Sequence, residues 1–137
     1  MDWLILIGRV IFVLIFVISG LNVHLFNWRN GVAYARQNGV PVPELLVPFS
    51  GLMAVVGGVL LALGLWPDLG ALLLAAFVFP VAFGMHRFWR VEDPMMRLND
   101  QVHFLKDCAL GGAALALFGF FQQFGDDVGL TLTGPLF

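Results

Sequence analysis

The sequence predicts an all-α integral membrane protein, a four-helix transmembrane bundle with up-down-up-down topology and short loops. Of the 137 residues, 60% are hydrophobic and only 12% are charged, whereas soluble domains are about 45–50% apolar and about 25% charged. Four apolar stretches have the length needed to cross a bilayer, about 20 residues. These spans cover residues 3–26, 45–66, 69–89 and 102–121. We expect residues 1–137 to form a single domain.

The first span contains one charged residue, Arg9, and ends among polar residues. Its N-terminal flank has no Lys or Arg and no small-residue cleavage motif follows, so we interpret it as a retained helix rather than a signal peptide. The connection over residues 27–44 is rich in Pro and Gly. Within it, residues 31–37 are expected to form a short helix at the membrane surface.

The second span has no charge and is rich in small residues that favour close helix contact. Its glycines are Gly51, Gly57, Gly58 and Gly64. The Trp-Pro-Asp turn at residues 66–68 is very short, so spans two and three must form an antiparallel hairpin. We expect Pro67 to end one helix and Asp68 to cap the next. Residues 91–100, before the fourth span, are predicted to be a polar loop.

The distribution of arginine predicts the orientation in the membrane. The first and third loops share one side and hold Arg29, Arg36, Arg87, Arg90 and Arg97. The N-terminus, the turn at residues 66–68 and the C-terminal tail contain no Lys or Arg. The positive-inside rule therefore predicts cytoplasmic first and third loops, with both termini outside.

Polar residues from several spans are predicted to lie together near the cytoplasmic face. They are Asn22, His24, Glu44, Ser50, His86, His103, Lys106 and Asp107. His103, Lys106 and Asp107 are spaced i, i+3 and i+4, which places them on one face of a helix. Because charged groups inside a membrane usually face a bundle interior or a wet cavity, we expect these helix ends to build a polar pocket.

A pocket of this kind is suited to a quinone, a proton path or a haem. A quinone carbonyl needs a His or Lys donor, with a carboxylate nearby to manage the proton. Two histidines on facing helices could hold a haem iron, but three histidines without a recognisable pattern make haem the weaker alternative. In a purely structural alternative, Lys106 and Asp107 neutralise one another and fix the helix register. No metal-binding spacing such as HExxH is present.

We interpret the remaining polar residues as structural. Arg9 belongs to the opposite face, where Asp68 is at similar depth and is its expected partner in an ion pair. Asn22 and Glu44 are assigned structural roles near the pocket. Cys108 is the only cysteine, which excludes an internal disulfide or dithiol exchange within the chain.

Several features together resemble the DoxX family of small four-helix membrane proteins. They are Arg9 with Gly20 in the first span, GVPVPELL, GLMAVVGGVLLALGLWP, HRFW and QVHFLKDCALGGAALAL. The resemblance covers nearly the whole chain. Two positions differ, because many members carry Glu where this chain has Ala54, and Asn is common where it has Asp107. The missing Glu weakens an enzymatic interpretation if that Glu carries protons in its relatives.

The family is similar to the membrane component of thiosulfate:quinone oxidoreductase, and other members are associated with membrane oxidoreductase assemblies. The resemblance therefore implies an inner-membrane protein of a bacterium or archaeon, linked to quinone or redox-stress chemistry. Membrane lipids and a protein of a membrane redox complex are its expected partners. Nucleic acid is excluded as a partner because the net charge is −2 and there is no basic patch.

Three functions are compatible with this sequence. Because the chain has almost no soluble mass, we first expect an accessory or anchor subunit of a respiratory or oxidoreductase complex, without catalytic activity of its own. The second is a quinone-binding redox subunit that uses His86, His103, Lys106 and Asp107. The third is a small-solute transporter or lipid-binding protein, although no inverted repeat is visible.

Overall fold

A computed structural model describes all 137 residues as helices joined by short loops. The five α-helices are α1 Asp2–Ser19, α2 Trp28–Gln37, α3 Pro43–Leu63, α4 Pro67–Met85 and α5 Pro94–Phe124. α1 continues as a π-helix over Gly20–Phe26, and short 3-10 turns lie at Phe88–Arg90 and Gly125–Asp127. Four segments are long and apolar enough to cross a membrane: Asp2–Phe26, Pro43–Leu63, Pro67–Arg90 and Pro94–Asp127. The predicted all-α, four-span fold is confirmed.

The bundle is built by sequential packing, with α1 against α3, α3 against α4, and α4 against α5. Its core contains Phe16, Leu74 and Phe121, each at most 2% exposed. Large apolar residues such as Ile11 and Phe83 are 63% and 56% exposed. In a membrane-spanning segment, such outward apolar faces meet lipid rather than water.

Backbone contact between two glycines holds the hairpin of α3 and α4 together. A Cβ atom built on Gly57 would stand 3.0 Å from the carbonyl oxygen of Gly70. A Cβ built on Gly70 would stand 2.8 Å from the carbonyl oxygen of Gly57. A larger residue at either position would force the helices apart, so the close helix contact expected from the glycines of the second span is confirmed.

The fourth spanning helix begins earlier than predicted. Residues 91–100 were expected to form a polar loop, but α5 starts at Pro94 and includes residues 94–100 of this stretch. The carboxylate of Asp93 accepts a hydrogen bond from the backbone N–H of Met96 at 2.9 Å, and Pro94 occupies the first helical turn. An Asp cap followed by Pro is a favourable helix start, which explains the extra turns.

Asp68 does not cap α4, which begins at Pro67 without a side-chain cap. Its fully buried carboxylate instead accepts hydrogen bonds from Nε2 of Gln122 at 2.8 Å and from the backbone N–H groups of Leu136 and Phe137 at 2.8 and 3.0 Å. The predicted cap was therefore wrong. The C-terminal tail folds back over this end of the bundle, and its backbone N–H groups bind the carboxylate in place of the N–H groups at the start of α4.

The predicted ion pair between Arg9 and Asp68 was also wrong. The guanidinium of Arg9 donates a hydrogen bond to the carbonyl oxygen of Leu130 in the tail. Arg9 is only 2% exposed, and its Nε and Nη1 atoms have no protein partner. The tail supplies hydrogen-bonding groups to both side chains, and the two side chains are not paired with each other.

Candidate functional site

The candidate site begins with the π-helical segment Gly20–Phe26, which carries His24. At its end, the N–H of Asn27 bonds the carbonyl oxygen of Asn22, five residues earlier, at 3.1 Å. π-Helical turns are rare and are often found at functional sites. The hydropathy pattern did not predict this segment, because a π-helix and an α-helix in lipid need the same apolar composition.

Two glycines allow the π-helical segment to approach α3. A Cβ atom built on Gly20 would lie 3.0 Å from the carbonyl oxygen of Gly51. A Cβ built on Gly51 would collide with the Cβ of His24. Because Gly51 has no side chain, α3 leaves space for His24. Gly20 and Gly51 are the sequence feature that indicates close contact between the π-helical segment and α3.

The ring of His24 is held in place by α3 and α4. Its Nδ1 lies 3.2 Å from the carbonyl oxygen of Val47 and 3.1 Å from Oγ of Ser50. The hydroxyl of Ser50 donates to the same carbonyl oxygen at 2.9 Å. The edge of the imidazole meets the ring of Phe77, with centroids 5.5 Å apart. These contacts fix the orientation of the ring.

His86, directly after the end of α4, lies between two carboxylates of α5. Its Nδ1 is 3.1 Å from Oδ1 of Asp100, and its Nε2 is 3.6 Å from Oδ2 of Asp107. Its ring stacks on that of His103, with centroids 5.1 Å apart and planes at 21°. Sequence reasoning missed Asp100, because it lies about two turns before Asp107, on a helix that was predicted to begin later.

Lys106 connects this cluster to the surface. Its Nζ lies 3.3 Å from Oδ1 of Asp107 and 3.3 Å from Nδ1 of His103. The Lys106 side chain is 40% exposed, whereas that of Asp107 is 7% exposed. Polar groups therefore run without a gap from the protein surface at Lys106 to the ring of His86.

A cavity of about 430 Å³ lies between the π-helical segment, α2, α3 and α4. Its lining is mainly apolar, and His24 and His86 both contribute to it. Tyr34 and Ser50 add two hydroxyl groups. Small-molecule sites are typically clefts of about 300–1,000 Å³ with mostly apolar walls and a few polar groups that orient the ligand. The cavity meets this description.

The cavity is accessible at the depth of the spans as well as near the loops. On α4 its wall includes Ala76, Pro80 and Gly84, which follow one another at intervals of four residues. Ala76, Pro80 and Phe49 of α3 are exposed although they line the cavity. A ligand dissolved in the lipid phase therefore has an apolar route to the histidines.

The structure separates the residues that the sequence placed in one pocket. His24 and His86 line the cavity, while His103, Lys106 and Asp107 stand beside or behind His86. Asn22 is exposed, and Glu44 pairs with Arg36 at the surface. Tyr34, Ala76 and Pro80 belong to the lining but gave no signal, because they look like ordinary interfacial or helix-packing residues.

The histidine geometry does not suit a haem. A haem iron with two histidine ligands needs the rings on opposite sides of the metal. The rings of His86 and His103 instead stack directly on one another, and both nitrogens of His86 face carboxylates. No group of three or more His, Cys, Asp or Glu residues is arranged to hold a metal ion.

Comparison with known proteins decides the family. The model of the DoxX family matches residues 4–87. This chain belongs to the DoxX family. The matched region contains nearly all of α1 and the whole of α3 and α4, and with them the cavity and its two histidines.

One relative extends the comparison beyond the matched region. The inner membrane protein YphA of Escherichia coli K12 is 29% identical over 114 residues, which is 83% of this DoxX chain and 80% of the relative. Its location agrees with the inner membrane expected from the sequence. No solved structure matches the chain.

Packing explains why this chain has Ala54 where the family resemblance leads us to expect Glu. Ala54 is fully buried, and its Cβ would be 3.4 Å from a Cβ built on Gly20. A Glu side chain would not fit there without moving the π-helical segment.

Proposed function

We propose that this DoxX-family protein is a membrane subunit that binds a lipid-soluble quinone in the cavity beside the π-helical segment. The observation that supports this proposal is the pairing of His24 and His86 in a single, mainly apolar cavity. The head group of a quinone or hydroquinone and its isoprenoid tail need apolar walls, and the two carbonyl or hydroxyl groups need polar partners. The cavity supplies both at a depth that lipid-soluble molecules can reach.

The cluster around His86 supports a role in proton movement. Quinone reduction consumes two protons, so a quinone site inside the membrane needs a route to water. Asp100, Asp107, His103 and the partly exposed Lys106 form a continuous series of titratable groups beside His86. This series is suited to carrying protons between the aqueous surface and the cavity.

The electrons would come from a partner protein. Quinone reduction needs two electrons, and with Cys108 as the single cysteine the chain contains no dithiol to supply them. The first two functions that the sequence suggested, an accessory subunit and a quinone-binding subunit, are then compatible with each other. In this view the chain holds the quinone while an associated oxidoreductase reduces or oxidises it.

Filling the cavity tests this proposal. A Cβ built on Gly84 meets nothing within 4 Å, although Gly84 lines the cavity. Gly84→Leu should therefore place its side chain in the cavity and weaken binding of decylubiquinone by at least about tenfold, because the occupied volume is lost to the ligand. Binding is measured by calorimetry on the purified full chain in detergent.

Gly112→Leu is the matched control. Gly112 is exposed on α5, away from the cavity, and a Cβ there also meets nothing within 4 Å. This variant should bind like the wild type. Equal binding by both variants would refute the quinone site. Mass spectrometry of the wild type from its native membrane adds a second readout, since a bound phospholipid in place of quinone would favour the lipid-binding alternative.

A further inference from the structure

We infer that the cavity selects the reduced hydroquinone over the oxidised quinone, because the protein atoms free to bond with a ligand there are mainly hydrogen-bond acceptors. This inference rests on the proposed quinone site and adds the redox form that the site prefers. A quinone presents two carbonyl oxygens that only accept, whereas a hydroquinone presents two O–H groups that donate.

The first acceptor is Nε2 of His24. The carbonyl oxygen of Val47 can only accept, so Nδ1 of His24, 3.2 Å away, must carry the hydrogen. The hydroxyl of Ser50 donates to the same carbonyl, which leaves its oxygen to accept from Nδ1. No carboxylate contacts His24 to balance a positive charge. In the neutral imidazole with hydrogen on Nδ1, Nε2 is an acceptor, and no protein group donates to it.

The second acceptor is the backbone carbonyl of Ala76. In a regular helix this oxygen would accept from the N–H four residues later, but that residue is Pro80, which has no N–H. Ala76 and Pro80 both line the cavity. A carbonyl that lacks its regular helical partner in an apolar, membrane-embedded wall is costly unless another group donates to it. A ligand hydroxyl meets that requirement.

Free donors are scarce on the same walls. The hydroxyl hydrogen of Ser50 is used by Val47. Both ring nitrogens of His86 face the carboxylates of Asp100 and Asp107. Tyr34 contributes a hydroxyl that can donate or accept. The carbonyl oxygens of an oxidised quinone would face two other acceptors, Nε2 of His24 and the carbonyl oxygen of Ala76. A site whose polar atoms accept from an O–H group binds an analogue without that group much more weakly.

The experiment compares the two redox forms on the same protein. Decylubiquinol and decylubiquinone are titrated anaerobically into the purified full chain. We expect the hydroquinone to bind more tightly, by roughly tenfold, as two added hydrogen bonds would give. Equal or tighter binding of the quinone would overturn this inference and leave the quinone site intact. Binding of neither form would overturn the proposed function as well.

Pro80→Ala tests the carbonyl directly. Alanine returns the N–H that bonds the Ala76 carbonyl, so the preference for hydroquinone over quinone should fall by roughly two- to tenfold. Pro48→Ala is the matched control, because Pro48 also lies inside a helix but does not line the cavity. A preference unchanged in both variants would overturn the role of the carbonyl.

His24→Asn tests the other acceptor. The asparagine amide can donate to Val47 from about the position of Nδ1 but has no atom at the position of Nε2. The preference for hydroquinone should again fall by roughly two- to tenfold, and circular dichroism should match the wild type. A preference as large as that of the wild type would overturn the assignment of Nε2. This variant also decides the inference if Pro80→Ala loses both ligands.

Discussion

At the residue scale, the two buried charged side chains at the tail end of the bundle, Arg9 and Asp68, differ in how fully the protein satisfies them. The carboxylate of Asp68 accepts three hydrogen bonds, from Gln122 and from the backbone of Leu136 and Phe137. Arg9 bonds the tail at Leu130 and keeps two of its nitrogen atoms without a protein partner. Asp68 is therefore the stronger stabilising element of the two.

We expect Asp68→Asn to lower the free energy of unfolding by about 2–3 kcal/mol. The amide keeps one acceptor oxygen and turns an NH₂ group toward N–H donors, so at least one buried donor loses its partner. Asp127→Asn is the matched control, because Asp127 is exposed in the same tail. The stabilities are measured by equilibrium unfolding in mixed micelles. Equal loss in the two variants would contradict the role assigned to Asp68.

At the element scale, the site depends on how closely the π-helical segment approaches α3. Gly51 leaves space for His24, and Gly20 brings its own backbone against Gly51. Farther along α3, Gly57 makes the equivalent backbone contact with Gly70 of α4. The glycines of α3 therefore set how closely the π-helical segment and α4 pack against it, and residues of all three segments line the cavity.

Gly51→Ala should lower stability by about 1–3 kcal/mol, because the new methyl group overlaps the Cβ of His24 and must push the π-helical segment away. The same displacement should weaken decylubiquinone binding. Gly112→Ala, which meets open space, should change neither quantity. Unfolding and calorimetric titration on the same samples provide the measurements. Unchanged stability and binding in Gly51→Ala would show that the contact does not position His24.

At the scale of the whole molecule, the two ends of the bundle differ in charge. The loop end holds the basic side chains Arg29, Arg36, Arg87, Arg90 and Arg97 together with the cavity and the His86 cluster. The other end carries the folded tail and acidic residues such as Asp126 and Asp127. The positive-inside rule favours a cytoplasmic loop end, which would give the proposed proton route access to the cytoplasm.

Labelling of single cysteines tests this orientation. In a Cys108→Ser background, Asp127→Cys should react with a membrane-impermeant maleimide on intact spheroplasts. Asn38→Cys, in the first loop, should react only after the membrane is permeabilised, because the bilayer shields the cytoplasmic face. The opposite pattern would reverse the predicted topology and place the cavity on the outer side of the membrane.

Part of the site could be predicted from the sequence, because the ends of the apolar spans can be recognised from the residue pattern. His24 and His86 terminate apolar spans, so their shared depth was predictable from span boundaries alone. Asp100 was missed because the start of α5 depends on the Asp93 cap. Ala76 and Pro80 were missed because an apolar residue has the same hydropathy whether it faces lipid, core or cavity.

The sequence by itself determined the number of spans, the hairpin of α3 and α4, the charge asymmetry and the family resemblance. These properties depend on local composition, because lipid requires each apolar segment to satisfy its own backbone hydrogen bonds. Only the tertiary structure decided the π-helical segment, the cavity and the partners of Arg9 and Asp68. Those features depend on contacts between residues far apart in the chain, such as Asp68 and Leu136. A local sequence pattern does not specify which distant residue makes the contact.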